Sequence, residues 1–188
     1  MFEAHLPENT QEGRWRALTN RFRHALFVTT GISPLINPYY ILRSRLYREI
    51  RAHSEKLQGD LLDFGCGSKP YEALFRNATS YTGVDLQVSG HNHSTSAVDY
   101  FYDGRYLPFE DNSFDGIVSF EVFEHVFNPD EVLDELFRVA RPAAPLLLSV
   151  PFAWFEHEVP FDNVRYTSFG LRALLERHGF QVQHLEKT

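Results

Sequence analysis

A chain of 188 residues with 43% apolar content fits one globular domain with room for a helical extension, and its single cysteine excludes an intrachain disulfide. No apolar run approaches the ~20 residues of a membrane span, and Met1-Phe2-Glu3-Ala4-His5 opens neither a secretory signal nor a transit peptide, so a soluble cytoplasmic protein is expected. The net charge of −7 divides into +3 over residues 1–60 and −10 beyond, and so acidic a body argues against a nucleic-acid groove in the main domain.

Residues 1–12 are polar and are expected to fray. Trp15, Leu18, Phe22 and Leu26 then recur at helical spacing, with Arg14, Arg16, Arg21 and Arg23 between them. Gly31, Pro34 and Pro38 break that pattern, and a second one runs through Leu42, Leu46 and Ile50 among Arg43, Arg45, Arg48 and Arg51. Residues 1–58 are read as an N-terminal helical extension, either a lid over a site or a packed appendage. Its basic surface reads as a solvated helix face, with contact to a membrane surface as a weaker alternative.

After Gly59 the rhythm changes to alternating strands and helices, and residues 59–188 are read as the main domain. Strand one is expected near 60–64, followed by a helix through Tyr71, Leu74, Phe75 and Ala78 behind Pro70. Strand two is 81–86, and a short third strand lies near 97–102. Strand four is 114–120. A helix follows from Asn128 (N-cap) and Pro129 through Val132, Leu133, Leu136 and Phe137 to Ala140. Strand five is 146–150. The last helix starts at Thr167 or Ser168, carries Leu171, Leu174 and Leu175, and ends at Gly179. A final strand is expected over 180–185. This alternation predicts an α/β fold, a largely parallel Rossmann-like sheet with helices on both faces, which binds ligands at the carboxyl ends of its strands.

The residues with chemistry lie at those ends. Leu61-Leu62-Asp63-Phe64-Gly65-Cys66-Gly67-Ser68 reads as a buried strand running into a tight turn, the entry to a nucleotide-type cofactor site. Glycines there let backbone approach a ligand where a Cβ would collide. Asp85 ends strand two, twenty residues after Gly65, where such a unit places an acid for ribose hydroxyls. Asp103-Gly104 follows strand three and can either meet an adenine edge or make an ordinary turn. Asp115 opens strand four, at the far end from the site, and is given a structural role.

The ordered set Asp63-x-Gly65-x-Gly67, Val84-Asp85, Asp103…Leu107-Pro108-Phe109…Ser113-Phe114-Asp115, Glu121-Val122-Phe123-Glu124-His125-Val126 and Glu135-Leu136-Phe137-Arg138-Val139-Ala140-Arg141-Pro142 resembles the class I S-adenosylmethionine-dependent methyltransferases, nearest to the type 11 family. The resemblance covers about residues 59–180. It implies S-adenosyl-L-methionine as cofactor. Asp63, Phe64, Gly65, Cys66 and Gly67 would lie against its methionine part, Asp85 would hold the ribose with Leu86 on the adenine, and Asp103 and Gly104 would meet the adenine edge. Ser119, Phe120 and Glu121 would line the methyl end. The acceptor is expected to be a small molecule.

Three departures stand out. Lys69 replaces the third glycine of the turn, Pro142-Ala143-Ala144-Pro145 replaces a Pro-Gly-Gly turn, and the expected sixth strand is the last where the family normally has a seventh, so that either the sequence is truncated or the edge is completed otherwise. An open sheet edge invites pairing, for instance as a homodimer.

Glu121, Glu124 and His125 allow three readings. The run can close the strand-to-helix connection by hydrogen bonds, His125 can act as general base, or the three can bind a divalent metal, as a similar Glu-x-x-Glu-His run is associated with in some quinone-pathway relatives. No metal is expected. The aromatic and charged segment 151–166 has the character of a functional loop. Its rings can enclose an apolar acceptor or the sulfonium, and His157, Glu158, Asp162 and Arg165 can orient an acceptor; equally, Asp162 and Arg165 can be a structural pair. His125, then His157, are the catalytic candidates. Two alternatives to methyl transfer are an NAD-dependent oxidoreductase, whose fingerprint 65–70 does not complete, and a non-catalytic binding protein of the same fold.

Overall fold

A computed structural model describes residues 40–87 and 96–187. Contacts divide the chain into two compact units, Met1–Glu49 and Ile50–Thr188. Helix α1 (Tyr40–Ser54) runs across that division and carries Arg51 and His53 in its last turn, where cations suit the helix dipole. The helical pattern around Trp15, and with it the choice between lid and appendage, lies outside the described residues. No helix among the described residues is long and apolar enough to cross a membrane.

Five strands form one sheet: β1 (Gly59–Phe64), β2 (Ala78–Leu86), β3 (Tyr100–Tyr102), β4 (Gly116–Phe120) and β5 (Leu146–Ser149). Their order is β3-β2-β1-β4-β5 and every pairing is parallel. The chain builds outward from β1 to β3, then crosses back to lay β4 on the other side of β1. The carboxyl ends of β1 and β4 therefore flank the point where the winding direction reverses, which is where such sheets bind ligands.

β1 is central, and Leu61, Leu62, Asp63 and Phe64 are all buried, which is why it reads as an apolar run rather than an alternation. Leu62 and Phe64 share one face with Val84 and Ile117. Against that face lie Val132, Leu133, Leu136 and Val139 of α2 (Pro129–Val139) and Leu174 and Leu175 of α3 (Ser168–Arg177). Each such side chain contributes about 1.5–3 kcal/mol on burial. On the opposite face Leu61 meets Leu57 over Gly116, where an added Cβ would come within 2.9 Å of Leu61 and 3.4 Å of Leu57.

α2 begins with Pro129, has Asp130 and Glu131 in its first turn, and ends beside Arg138. Arg138 donates to both oxygens of Glu135 (2.7 Å each), to Asp111 (2.8 Å) and to the carbonyls of Leu107 and Phe109, clamping the segment before β4. Asn128 sits at the N-cap but does not cap with its side chain; its Nδ2 donates to the Gly104 carbonyl and to Glu131. Asp115 has the structural role expected of it, accepting from Asp60 N and pairing with Arg141.

Two expected elements differ. The helix expected over 71–78 is a 3-10 turn, Glu72–Leu74, and β2 already begins at Ala78. Too few residues separate Pro70 from β2 for an α-helix. The apolar spacing instead lays Tyr71 and Phe75 against Phe120, with ring centroids 5.2 and 6.3 Å away. The strand expected over 180–185 has no ladder partner among the described residues. Its alternation is real, since Phe180 and Val182 pack on the core and Phe180 meets Phe137 edge-on at 5.5 Å. Side-chain packing, without a neighbouring strand, accounts for the pattern.

Candidate active site

The backbone after β1 turns through three left-handed residues, Gly65 (φ 73°), Gly67 (φ 49°) and Lys69 (φ 51°). Gly65 is sterically compelled, since a Cβ would sit 2.4 Å from both methyl carbons of Val122. The turn after β1 and the residue after β4 thus touch across the switch point. Gly67 is different: a Cβ there would meet nothing within 4 Å, so this turn has an open side. Gly65 N and Cys66 N both donate to the Val84 carbonyl (2.8 and 3.2 Å), and Cys66 is buried with its thiol pushed well above the ordinary range by burial.

Asp85 is joined to this turn. Its Oδ2 accepts from Gly67 N (3.1 Å) and its Oδ1 from Leu86 N (2.8 Å). Leu86 in turn lies against Gly104, 3.4 Å from where a Cβ would stand. The expected ribose and adenine residues therefore form one continuous rim from Gly67 to Gly104. Asp103 builds the turn beneath it, accepting from the N–H groups of Arg105 and Tyr106 (2.9 Å each), which hold its carboxyl below the ordinary range.

Lys69 has a role that the motif does not announce. Its ammonium donates to Asp99 (2.5 Å) and to the Tyr81 carbonyl (3.2 Å), and Asp99 also accepts from Gly83 N (2.7 Å). Gly83 leaves the space this needs, because a Cβ there would be 2.5 Å from Lys69 Cε and 2.6 Å from Cys66 Sγ. The left-handed backbone costs a lysine roughly 1–2 kcal/mol, which a charge-assisted hydrogen bond from a nearly buried ammonium offsets. Lys69 ties the turn to the chain entering β3.

Asp63 points away from the core cluster and is buried, with Tyr81 Oη donating to its carboxylate (2.9 Å). Burial pushes its carboxyl from 3.8 up to about 7, against the opposing Tyr81 hydrogen bond and Lys69 charge. The folded chain then holds a proton here that the unfolded chain releases near pH 3.8. The stabilisation that this one group contributes is fully present below that value and is lost as pH rises to about 7. Asp63→Asn keeps the shape and cannot ionise, so its urea midpoint should gain on the parent chain from pH 4 to 7, by up to ~1.4 kcal/mol per pH unit, and then run parallel. A constant difference across that range would contradict this account of Asp63.

The end of β4 divides its residues. Ser119 is wholly buried, and its hydroxyl has no hydrogen-bond partner. Phe120 packs on Tyr71 and Phe75. Glu121 adopts φ 56° and accepts from Ser149 Oγ (2.8 Å), turning toward β5.

A 3-10 turn, Phe123–His125, follows, and segment 151–166 is fastened to it. Asn163 N and Val164 N donate to the Glu124 carbonyl (2.8 and 3.2 Å), and Asn163 Nδ2 to the His125 carbonyl (2.8 Å). These bonds bring His157 against His125, ring centroids 4.8 Å apart. His125 Nδ1 lies 3.0 Å from the Phe161 carbonyl, so that nitrogen carries a hydrogen, and in the neutral ring the lone pair lies on Nε2. His157 Nδ1 lies 3.2 Å from Asp162. Arg165 grips Asp162 through two nitrogens (2.5 and 2.7 Å) and holds its carboxyl far below the ordinary range, so Asp162 is ionised and His157 Nδ1 is the donor. In the neutral form of either ring, Nε2 is therefore the nitrogen without a hydrogen. Burial, reinforced by the Glu121 charge, pushes the Glu124 carboxyl up to about 8.

Tyr81, Asp99 and Val122 were not legible as site residues. Val122 lies within the run 121–126 without being singled out by it, Tyr81 and Asp99 lie in no motif, and each acts through a partner 18 to 57 residues away in sequence. Val126, Phe127, Pro129, Asn163, Tyr166 and Leu174 help line a cavity of about 620 Å³, between the start of α2 and α3; neither His125 nor His157 is among its lining residues.

A family model described as a methyltransferase domain matches residues 39–185. A probable S-adenosylmethionine-dependent methyltransferase of Mycolicibacterium smegmatis is 35% identical over 135 residues, 66% of this chain and 52% of that one. The phthiotriol/phenolphthiotriol dimycocerosates methyltransferase 1 of Mycobacterium ulcerans is 31% identical over 111 residues, 54% of this chain and 41% of that one. The chain thus spans about half or less of the length of the curated relatives it matches. Among solved structures, an S-adenosylmethionine-dependent methyltransferase of Aquifex aeolicus shares the fold with a TM-score of 0.55 at 22% identity, over 80% of this chain and 87% of that one.

Proposed function

The chain belongs to the class I methyltransferase-domain family, and from that premise we propose that it transfers the methyl group of S-adenosylmethionine to a hydroxyl of a small acceptor. The observation that carries this reading is the hydrogen bond between Gly67 N and Asp85, which joins the glycine turn after β1 to the acid ending β2 beside the switch point. Asp85 would accept from the ribose hydroxyls, and Leu86, Asp103 and Gly104 would flank the adenine. Asp63, Phe64, Gly65, Cys66 and Gly67 would hold the methionine end, with Phe120 and Glu121 beyond it. Ser119 would line the methyl end with them.

The reaction is an in-line displacement. The acceptor oxygen bonds to the methyl carbon, the carbon–sulfur bond breaks with its electrons going to sulfur, and neutral S-adenosylhomocysteine leaves. Alignment at near-attack distance supplies most of the acceleration. The proton leaving the acceptor needs a base, for which His125 Nε2 is the first candidate and His157 Nε2 the second. An oxygen acceptor is favoured because one relative is named for a triol. A cytoplasmic setting and pairing of two copies through the edge of β5, which has no further strand beside it among the described residues, belong to the same reading.

Calorimetric titration with S-adenosylmethionine and with NAD tests the premise. Binding of the first alone is expected; binding of NAD alone would overturn it. Transfer of labelled methyl from S-adenosylmethionine to any of a panel of hydroxylated acceptors would then exclude a purely binding role.

A further inference from the structure

We infer that Glu124, His125 and His157 form a binding site for one divalent transition-metal ion of the zinc type. One carboxylate oxygen and one ring nitrogen from each histidine lie within 4.8 Å of one another. His125 Nε2 stands 3.7 Å from Glu124 Oε1 and the same distance from Glu158 Oε2. A tetrahedral zinc with ligands at ~2.1 Å holds them about 3.4 Å apart, so small side-chain movements close this set around an ion.

Two further observations point to a ligand. The first is Glu124, whose side chain is 1% exposed, with Oε1 3.7 Å from His125 Nε2 and Oε2 without a hydrogen-bond partner. A buried carboxylate with an unpartnered oxygen is costly, and a cation held by Oε1 would neutralise the group. The second is the state of the histidines. Metal-binding histidines characteristically donate their other ring N–H to a carboxylate or a carbonyl, which sets the tautomer and aims the ligating nitrogen. Both do so here: His125 Nδ1 to the Phe161 carbonyl, and His157 Nδ1 to Asp162, itself held by Arg165. Two imidazoles and one carboxylate suit zinc, cobalt or nickel better than magnesium or calcium.

This set differs from the contiguous run 121–125. Glu121 turns toward Ser149, and the third ligand comes from segment 151–166, 32 residues past His125. The site rests on side-chain geometry alone; its consequence for catalysis rests on the proposed methyl transfer. With an ion bound, both Nε2 atoms are coordinated and are no longer bases. The ion would instead favour an acceptor offering oxygen ligands and would lower the pKa of its hydroxyl.

The test uses the full chain, free of affinity tags and stripped with chelator, titrated with Zn²⁺ alone by calorimetry and with Co²⁺ alone by visible absorption. One ion per chain is expected. Glu124→Gln and His157→Gln should each abolish the cobalt spectrum, and Asp162→Asn, which only releases the His157 ring, should weaken binding 10- to 100-fold. The rings of His53 and His184, 5.2 Å apart, are another possible point of capture, and His184→Gln should leave binding unchanged. Circular dichroism and S-adenosylmethionine affinity report folding of each variant, and should His157→Gln misfold, Glu124→Gln carries the test. No uptake of zinc, uptake that survives Glu124→Gln, or uptake lost in His184→Gln would overturn the site. Metal binding without S-adenosylmethionine binding would leave it standing while sinking the methyl-transfer reading.

Discussion

Asp85→Ala should weaken S-adenosylmethionine binding a few-hundred-fold while the chain stays folded. Asp85 is buried at the end of β2, and its two oxygens each accept one backbone hydrogen bond, from Gly67 N and from Leu86 N. A carboxylate has about four acceptor positions, so two remain for the neighbouring hydroxyls of a ribose. Hydrogen bonds to a charged group contribute about 1.5–3 kcal/mol each, and losing two costs at least ~3 kcal/mol, more than a hundredfold in affinity. Asp85→Asn, with one oxygen left, should fall between. Calorimetric titration of each variant decides the matter. If Asp85 only caps the turn, the alanine variant will lose melting temperature and bind S-adenosylmethionine within tenfold of the parent chain.

The second large effect is on stability. Gly65→Ala should destabilise the chain by about 3 kcal/mol, the sum of a left-handed alanine at roughly 1–2 kcal/mol and an overpacked contact at roughly 1–3 kcal/mol. The contact is specific, since the new Cβ would stand 2.4 Å from both methyl carbons of Val122. For a chain of this length that predicts a melting temperature lower by about 10 °C. Val122→Ala removes the obstructing methyls, so Gly65→Ala with Val122→Ala should lose less than the two single variants added together. Strict additivity would mean that the turn and the residue after β4 do not touch as described. Gly67→Ala, with open space where its Cβ would be, should cost only the backbone strain and should harm cofactor binding more than stability.

How far the sequence leads can be seen at single residues. Gly65 and Gly67 were legible because a φ of 73° and of 49° is a local demand that few other residues meet. Asp85 was legible because the length of a strand–turn–strand unit places it. β1 was legible as a buried strand because a central parallel strand is apolar on both faces. The turn at 71–75 was misread, since residues spaced three or four apart suit one turn of 3-10 helix as well as an α-helix. Segment 180–185 was misread because alternation reports which side is buried and not whether another strand lies alongside.

Lys69 marks the boundary. From the sequence it is a missing glycine. In the fold it is a left-handed residue whose ammonium joins Asp99 and the Tyr81 carbonyl through space that Gly83 leaves open. The sequence by itself determined the family's glycine turn, the strand-end acids and the parallel sheet, because these follow from periodicity and from backbone angles that a few neighbouring residues impose. Only the tertiary structure decided that Asp63 is held by Tyr81, that Glu121 faces Ser149, and that His157 meets His125 beside an unpartnered Glu124. Those meetings depend on hydrogen bonds between distant segments, above all from Asn163 to the carbonyls of Glu124 and His125, and no local pattern records them.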